Sequence, residues 1–232
     1  MLSVCEVMDS FRDLFYPESC GICARKLYGG EILLCTHCFA DLPRARFSCS
    51  AENPMIKQLW GRCDVEACLS WTYFKPGSGI RILMHGLKYS REREFGYHMG
   101  EWFAREQRRL FERIRFDVLV PVPVHPDKLP MRGYNQSEVI AVGMAKEFAC
   151  PIRSDALVRR GSAGTQTHLG RFDRFVNTQS KYIAANVEGL EGKRILLIDD
   201  VFTTGATIEA CAKALQEAGA SVSVATLAMA WK

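Results

Sequence analysis

The stretch from Arg194 to Thr207 constrains the fold more than any other part of this chain. Arg194-Ile-Leu-Leu-Ile-Asp-Asp200 is an apolar run closed by two acids, Val-Phe-Thr-Thr-Gly-Ala-Thr207 follows it, and Ile208 to Ala218 has helical composition. A run that is apolar at successive positions suits a strand covered on both faces, as in a parallel sheet. Gly219 stops the helix, and Ser221 to Ala228 supplies a further strand. Strand, helix and strand in that order close by a right-handed crossover, which makes the two strands parallel. The C-terminal half is therefore α/β.

A loop that leaves a parallel strand and enters a helix presents unpaired N–H groups and the positive end of the helix dipole, a ready site for phosphate. Thr203, Thr204 and Thr207 add hydroxyl donors, while Gly205 and Ala206 keep the loop small enough for close approach of an anion. Asp199 and Asp200 need another explanation, because two carboxylates repel a bare phosphate. Sugar hydroxyls or a Mg²⁺-bound water suit them as donors. Phosphate beside diol-seeking acids describes a ribose 5-phosphate. The plainer alternative is a strand end with a helix cap, Thr207 being an acceptable N-cap residue.

Upstream, Asp117 to Val124 is a second apolar run with prolines only at its end, expected as a central strand. After a loop over 125–135, Gln136 to Phe148 is expected to form a helix packed back on the sheet. Residues 65–75 predict one or two short strands, ended by the turn signal Lys75-Pro-Gly-Ser-Gly79. From Ile80, apolar Ile80, Leu83, Met84 and Leu87 recur at helical spacing, and Arg81, His85 and Lys88 form a basic stripe on another face. That stripe is either a solvated face or a group of cations for pyrophosphate or a nucleic-acid backbone. Phe95, Met99, Trp102 and Phe103 mark the core side of the next helix.

Cys20-Gly-Ile-Cys23 and Cys35-Thr-His-Cys38 form two CxxC pairs separated by eleven residues. Each pair makes a tight turn that points two thiolates inward, and four thiolates make a closed tetrahedral site favouring structural zinc. A [4Fe–4S] cluster is the other metal option, and buried or redox-paired cysteines the metal-free one. Cys5, Cys49, Cys63, Cys68, Cys150 and Cys211 lack a CxxC partner. One zinc is expected, not two. His37 lies inside the second turn and is expected outside the ligand set.

With 48% hydrophobic and 24% charged residues over 232 positions, the composition excludes a disordered chain. No apolar run is long enough for a membrane span, and Met1 to Phe15 has acids where a signal peptide needs a basic start, so a soluble, cytoplasmic protein is expected. Net charge is +4, too small to name a partner. The arginines at 105, 108, 109, 113 and 115 are a solvated helix face or a phosphate-contacting patch.

The string from Ile195 to Thr207 resembles the 5-phosphoribosyl-1-pyrophosphate (PRPP) motif of type I phosphoribosyltransferases over its whole length. The wider layout is similar to the ComF family, linked to competence and DNA utilisation. FYPESCGICARK with CTHC, GLKY around Lys88, VPVPVHPDKLPMRGYNQSE and the late phosphate loop carry that resemblance. It implies a type I phosphoribosyltransferase fold over 51–232 behind a small zinc-binding ribbon over 1–50. It also implies that Asp199 and Asp200 hold the ribose hydroxyls and that Thr203 to Thr207 hold the 5′-phosphate. Pyrophosphate falls to the backbone of Val122, Pro123 and Val124, with Arg132 completing the catalytic set, Lys88 as a second cation and Mg²⁺ on the substrate. By the same resemblance a mobile catalytic loop corresponds to Arg159 through Arg174, an ordinary surface loop being the alternative for that stretch. Two functions follow as expectations: pentosyl transfer from PRPP to an unidentified acceptor, or a non-catalytic module that binds single-stranded DNA or a DNA-uptake protein and keeps the phosphoribosyl site.

Overall fold

The computed structural model describes residues 19–46, 52–89, 93–160 and 181–230. In chain order they form α1 (Thr36–Ala40), α2 (Pro54–Leu59), β1 (Cys68–Phe74), α3 (Gly79–Tyr89), α4 (Arg93–Glu106), α5 (Arg108–Ile114) and β2 (Val118–Pro121). A 3-10 turn (Pro126–Lys128) leads to α6 (Leu129–Arg132) and α7 (Gln136–Phe148), then β3 (Leu157–Arg159), β4 (Tyr182–Ala184), β5 (Arg194–Phe202), α8 (Ala206–Glu217) and β6 (Ser221–Ala230).

Four of the strands build one sheet in the order β1-β6-β5-β2, every pair parallel. Side chains alternate across a strand, and both faces of β5 are apolar, so each face needs a cover. Leu196 and Ile198 join a core with α3, α4, α5 and α7; Ile195 and Leu197 join another with α2 and α8. Cys20, Leu34, Cys35 and Leu42 belong to the first of these cores, so the N-terminal cysteine segment packs on the same face as α3 and α4. β3 and β4 pair antiparallel as a separate ribbon.

The expected elements form, with three corrections. β2 is buried at all four positions as expected, but it is not central: it ends the strand order. Its outer edge is closed by a single bridge between Leu119 and Ile152, where the Leu119 N–H donates to Pro151 O and the Arg153 N–H to Leu119 O. The last helix starts at Ala206 rather than Ile208, and Thr207 lies inside it. Its N-cap is Gly205, with φ of 75° and no side-chain cap bond. A Cβ there would lie 2.9 Å from Leu59 Cδ2 and 3.0 Å from the Phe202 ring, so the lack of a side chain serves the core side of the turn rather than the approach of an anion.

α4 and α7 cross backbone to backbone. A Cβ on Gly143 would collide with the Tyr97 carbonyl, and one on Gly100 with the Ile140 carbonyl. Backbone cannot rotate aside as a side chain can, so the helices would have to separate. Gly143→Ala is expected to cost about 2–3 kcal/mol of stability, measured by urea unfolding.

Candidate functional site

The chain leaves β2 outward, through α7 on one face, to the bridge at Ile152; it leaves β5 inward, through α8 on the other face, to β6. Crossovers that diverge from adjacent strands open a crevice between those strands' carboxyl ends, where open α/β sheets bind ligands. Val122, Pro123, Val124 and His125 from the β2 end face Asp199, Asp200 and Val201 from the β5 end across this cleft. Lys88 at the end of α3, Arg132 in α6, and Thr207 in the first turn of α8 also line it.

The two carboxylates are not equivalent. Asp199 is 9% exposed, and its Oδ1 accepts the Ser137 hydroxyl at 3.1 Å and the Asp200 N–H at 2.9 Å. Burial pushes its pKa up to about 7, the Asp200 charge adds to that, and the two hydrogen bonds and Lys88 offset part of it. Asp200 is instead held by Lys88, whose Nζ lies 2.9 Å from Oδ2. An exchangeable cation thus neutralises the outer carboxylate, while the inner one is held by fixed donors.

Of the residues expected to bind phosphate, Thr203, Thr204 and Ala206 are exposed at the rim, Gly205 is buried, and Thr207 reaches the cleft. The loop is fastened from outside by Arg62, which donates to Thr204 O at 2.7 Å and pairs with Glu209 at 2.6 Å. In the stretch expected to hold pyrophosphate, the Val122 N–H already donates to Ile198 O at 2.9 Å and Pro123 has no N–H. Backbone donation there falls to Val124. Arg132 reaches the cleft with Nη1 bonded to Gln136 Oε1 at 2.9 Å.

Several lining residues went unassigned from sequence: His125, Lys128, Asn135, Gln136, Ser137 and Tyr182. Asn135 accepts the Ser137 N–H at 3.2 Å as the N-cap of α7, with Glu138 in the first turn. The capping pattern Asn-x-x-Glu was a usable signal that a helix N-terminus begins there. In the expected catalytic loop, Arg159 lines the cleft and lies over the Tyr182 ring at 5.2 Å; residues 161–174 lie outside the described residues.

The basic stripe of α3 divides: Arg81 and His85 are exposed, and only Lys88 enters the cleft. In the arginine run, Arg105 bonds Glu101 at 2.8 Å and Glu147 at 2.9 Å, and Arg108 bonds Glu112 at 3.0 Å. These two therefore contribute to a locally balanced surface.

At the opposite end of α3, the sulfurs of Cys20, Cys23, Cys35 and Cys38 all lie within 4.8 Å of one another. Cys23 and Cys35 are 3.8 Å apart. The edge of a ZnS₄ tetrahedron is about 3.8 Å for bonds of about 2.3 Å, so the donor set fits a four-coordinate soft metal. The Cys38 N–H donates to Cys35 Sγ at 3.3 Å, and Glu31 ties the turns together by accepting from Arg25, the Tyr28 N–H and both donors of Thr36. His37 is not in the cluster, and Cys63, Cys68, Cys150 and Cys211 lie outside it too. Cys5 and Cys49 fall outside the described residues.

Fold and cleft define the class: the chain has a type I phosphoribosyltransferase fold with a four-cysteine centre packed against it. The phosphoribosyl transferase domain family matches residues 135–230. Among known proteins, the chain is 28% identical to the DNA utilization protein YhgH of Salmonella typhimurium over 87% of its own length and 86% of that protein's. It is 24% identical to competence protein F of Haemophilus influenzae, covering 88% and 93%. It is 33% identical to competence protein ComFC of Streptococcus pneumoniae over 51% and 49%. The ComF resemblance of the sequence is borne out by these relatives. Among solved structures, the glutamine PRPP amidotransferase from B. subtilis is similar at 23% identity with a TM-score of 0.40, over 64% of this chain and about a quarter (27%) of that one. Adenine phosphoribosyltransferase from Thermoanaerobacter pseudethanolicus is similar at 15% identity with a TM-score of 0.39, over 60% and 83%.

Asp199 supplies a pH test. The fold keeps its neutral form up to about pH 7, while the unfolded chain ionises near 3.8, so its contribution to stability falls as pH rises between those values. Asparagine keeps the acceptor for Ser137 and Asp200 but cannot ionise. Asp199→Asn is expected to raise stability by several kcal/mol, up to about 4, at pH 8 and to leave it nearly unchanged at pH 4, measured by thermal unfolding across that range.

Proposed function

We propose that the cleft binds PRPP together with Mg²⁺. The observation that carries this reading is the meeting, at one switch point, of an acidic pair on β5, a helix-entering loop rich in threonine, and the cations Lys88 and Arg132. Asp199 and Asp200 accept from the ribose hydroxyls, and the Thr203 to Thr207 loop donates to the 5-phosphate. Val124, Arg132 and Lys88 face the pyrophosphate, on which Mg²⁺ supplies charge neutralisation. When the ribose hydroxyls reach Asp200, Lys88 is free to turn from that carboxylate to the phosphate oxygens.

In pentosyl transfer, a nitrogen nucleophile forms its bond to C1 as the C1–O bond breaks and the electron pair leaves with pyrophosphate. The chain's contribution is positioning and charge stabilisation. The names of the relatives support a setting in DNA utilisation or competence. Single-stranded DNA binding on the arginine run has less support, because Arg105 and Arg108 are engaged by Glu101, Glu147 and Glu112.

Calorimetry with PRPP and Mg²⁺ tests the site. The parent is expected to bind with micromolar affinity, and the Asp199→Asn, Asp200→Asn variant to lose at least about 2 kcal/mol, roughly thirtyfold. A folded parent that binds no PRPP would overturn the reading and make oligonucleotides the next ligand.

We assign zinc to the four-cysteine centre, within residues 1–50, with 51–232 as the phosphoribosyltransferase unit. The thiolates must stay reduced, which suits the cytoplasm. One zinc per chain is expected by mass spectrometry of metals. Cys35→Ser should abolish it and, since Cys35 is buried in the same core as α3 and α4, lower Tm by several degrees.

A further inference from the structure

The threonine loop is braced by a part of the chain far from it in sequence. Arg62 follows α2 and lies 142 residues from Thr204. Its guanidinium meets acceptors on three different elements. Nη1 donates to Gln58 O at 3.1 Å and to Thr204 O at 2.7 Å, while Nε and Nη2 donate to Glu209 Oε2 at 3.0 and 2.6 Å. α2 is itself fixed to the sheet: Asn53, 2% exposed, donates from Nδ2 to Cys68 O at 2.6 Å and caps the helix by accepting the Met55 N–H at 2.9 Å. The buried Leu59 lies against Gly205. Arg62 is not among the residues that line the cleft, so it grips the loop from outside.

The 204–205 peptide is trans, so the Thr204 carbonyl and the Gly205 N–H point in opposite directions. Gly205 has φ of 75°, and glycine adopts the opposite sign about as readily, so the backbone alone does not determine which of the two groups faces an anion. A flip of this peptide would replace a donor with a carbonyl oxygen. The charge-assisted hydrogen bond from Arg62 to that oxygen opposes the flip. Its bond to Glu209 acts in the same sense. Glu209 puts a carboxylate in the first turn of α8, where it competes with an anion for the positive helix end, and Lys213 at 2.8 Å and Arg62 neutralise it. A partly exposed ion pair adds little to global stability, so orientation of the loop is the larger consequence.

We infer that Arg62 is a positioning residue for the 5-phosphate end of the cleft, holding the Thr204 carbonyl outward and so keeping the Gly205 N–H turned towards the phosphate. This rests on the proposed PRPP reading and adds to it a residue from outside the family match at 135–230. The effect is confined to one end of the ligand, because none of the three partners of Arg62 belongs to the wall of Val124, Arg132 and Lys88.

The test is calorimetry on the full chain with Mg²⁺ and three ligands: PRPP, ribose 5-phosphate and inorganic pyrophosphate. Arg62→Ala is expected to weaken PRPP and ribose 5-phosphate by the same factor, about tenfold, and pyrophosphate by less than about twofold. Equal weakening of all three would mean that Arg62 only supports the fold, and would overturn the inference. So would unchanged ribose 5-phosphate binding in the variant, while the PRPP reading itself would stand. A parent that binds no PRPP would remove both. Should Arg62→Ala fail to fold, Arg62→Lys keeps the charge but cannot reach Gln58 O, Thr204 O and Glu209 together. The same pattern across the ligands is expected of it at a smaller size, about threefold, and a ribose 5-phosphate affinity equal to the parent's would sink the inference.

Discussion

The interaction on which this structure turns is the burial of a carboxyl group in a strand with no wet face, just past the point where the neighbouring strand β2 stops. β5 is covered by α7 and its neighbours on one side and by α8 on the other, so Asp199, one residue past its last pair with β2 and still paired with β6, is nearly sealed from water. An ionised carboxylate there is costly unless donors are fixed around it. Ser137 and the Asp200 N–H supply them. Because Ser137 sits in the first turn of α7, the helix that follows β2 is held in register with the end of β5 by the same hydrogen bond that satisfies the acid. The walls of the cleft are thereby positioned by its own chemistry.

Around that acid the cleft shows a division of polarity. Acceptors are gathered on β5, while donors occupy the opposite wall on α6, α7 and β3, several of them unpaired. Lys88 reaches Asp200 across the cleft with a side chain still 27% exposed and so able to exchange partners. An arrangement of this kind stores unmade hydrogen bonds rather than strain, which suits the ligand proposed for the cleft, with hydroxyls at its centre and anions at its ends.

The four-cysteine centre contributes differently. None of its four cysteines lines the cleft; Cys20 and Cys35 join the core that includes Leu83, Leu87, Met99 and Phe103. Lys88 is carried by the helix that begins beside this centre. The cysteine turns and the helix that carries Lys88 thus pack into one core.

Much of this was legible in the residues alone. The run Ile195 to Ile198, the acids, the threonine loop and the following helix marked a parallel sheet and the candidate anion site because each is a local pattern with a local cause, and the paired CxxC spacing is equally local. What the sequence could not determine was anything requiring distance across the chain. That Lys88 and not Arg81 enters the cleft depends on which end of α3 comes to β5, since the two residues share a face and lie about 10 Å apart along the axis. That Val122 has no free amide depends on the register of β2 against β5. Ser137 was placed in a helix from the sequence, yet its contact with Asp199, 62 residues away, exists only because the crossovers pack α7 against β5. Local composition decided which elements form; the tertiary structure decided which of their polar atoms are buried together, since only packing takes them out of water.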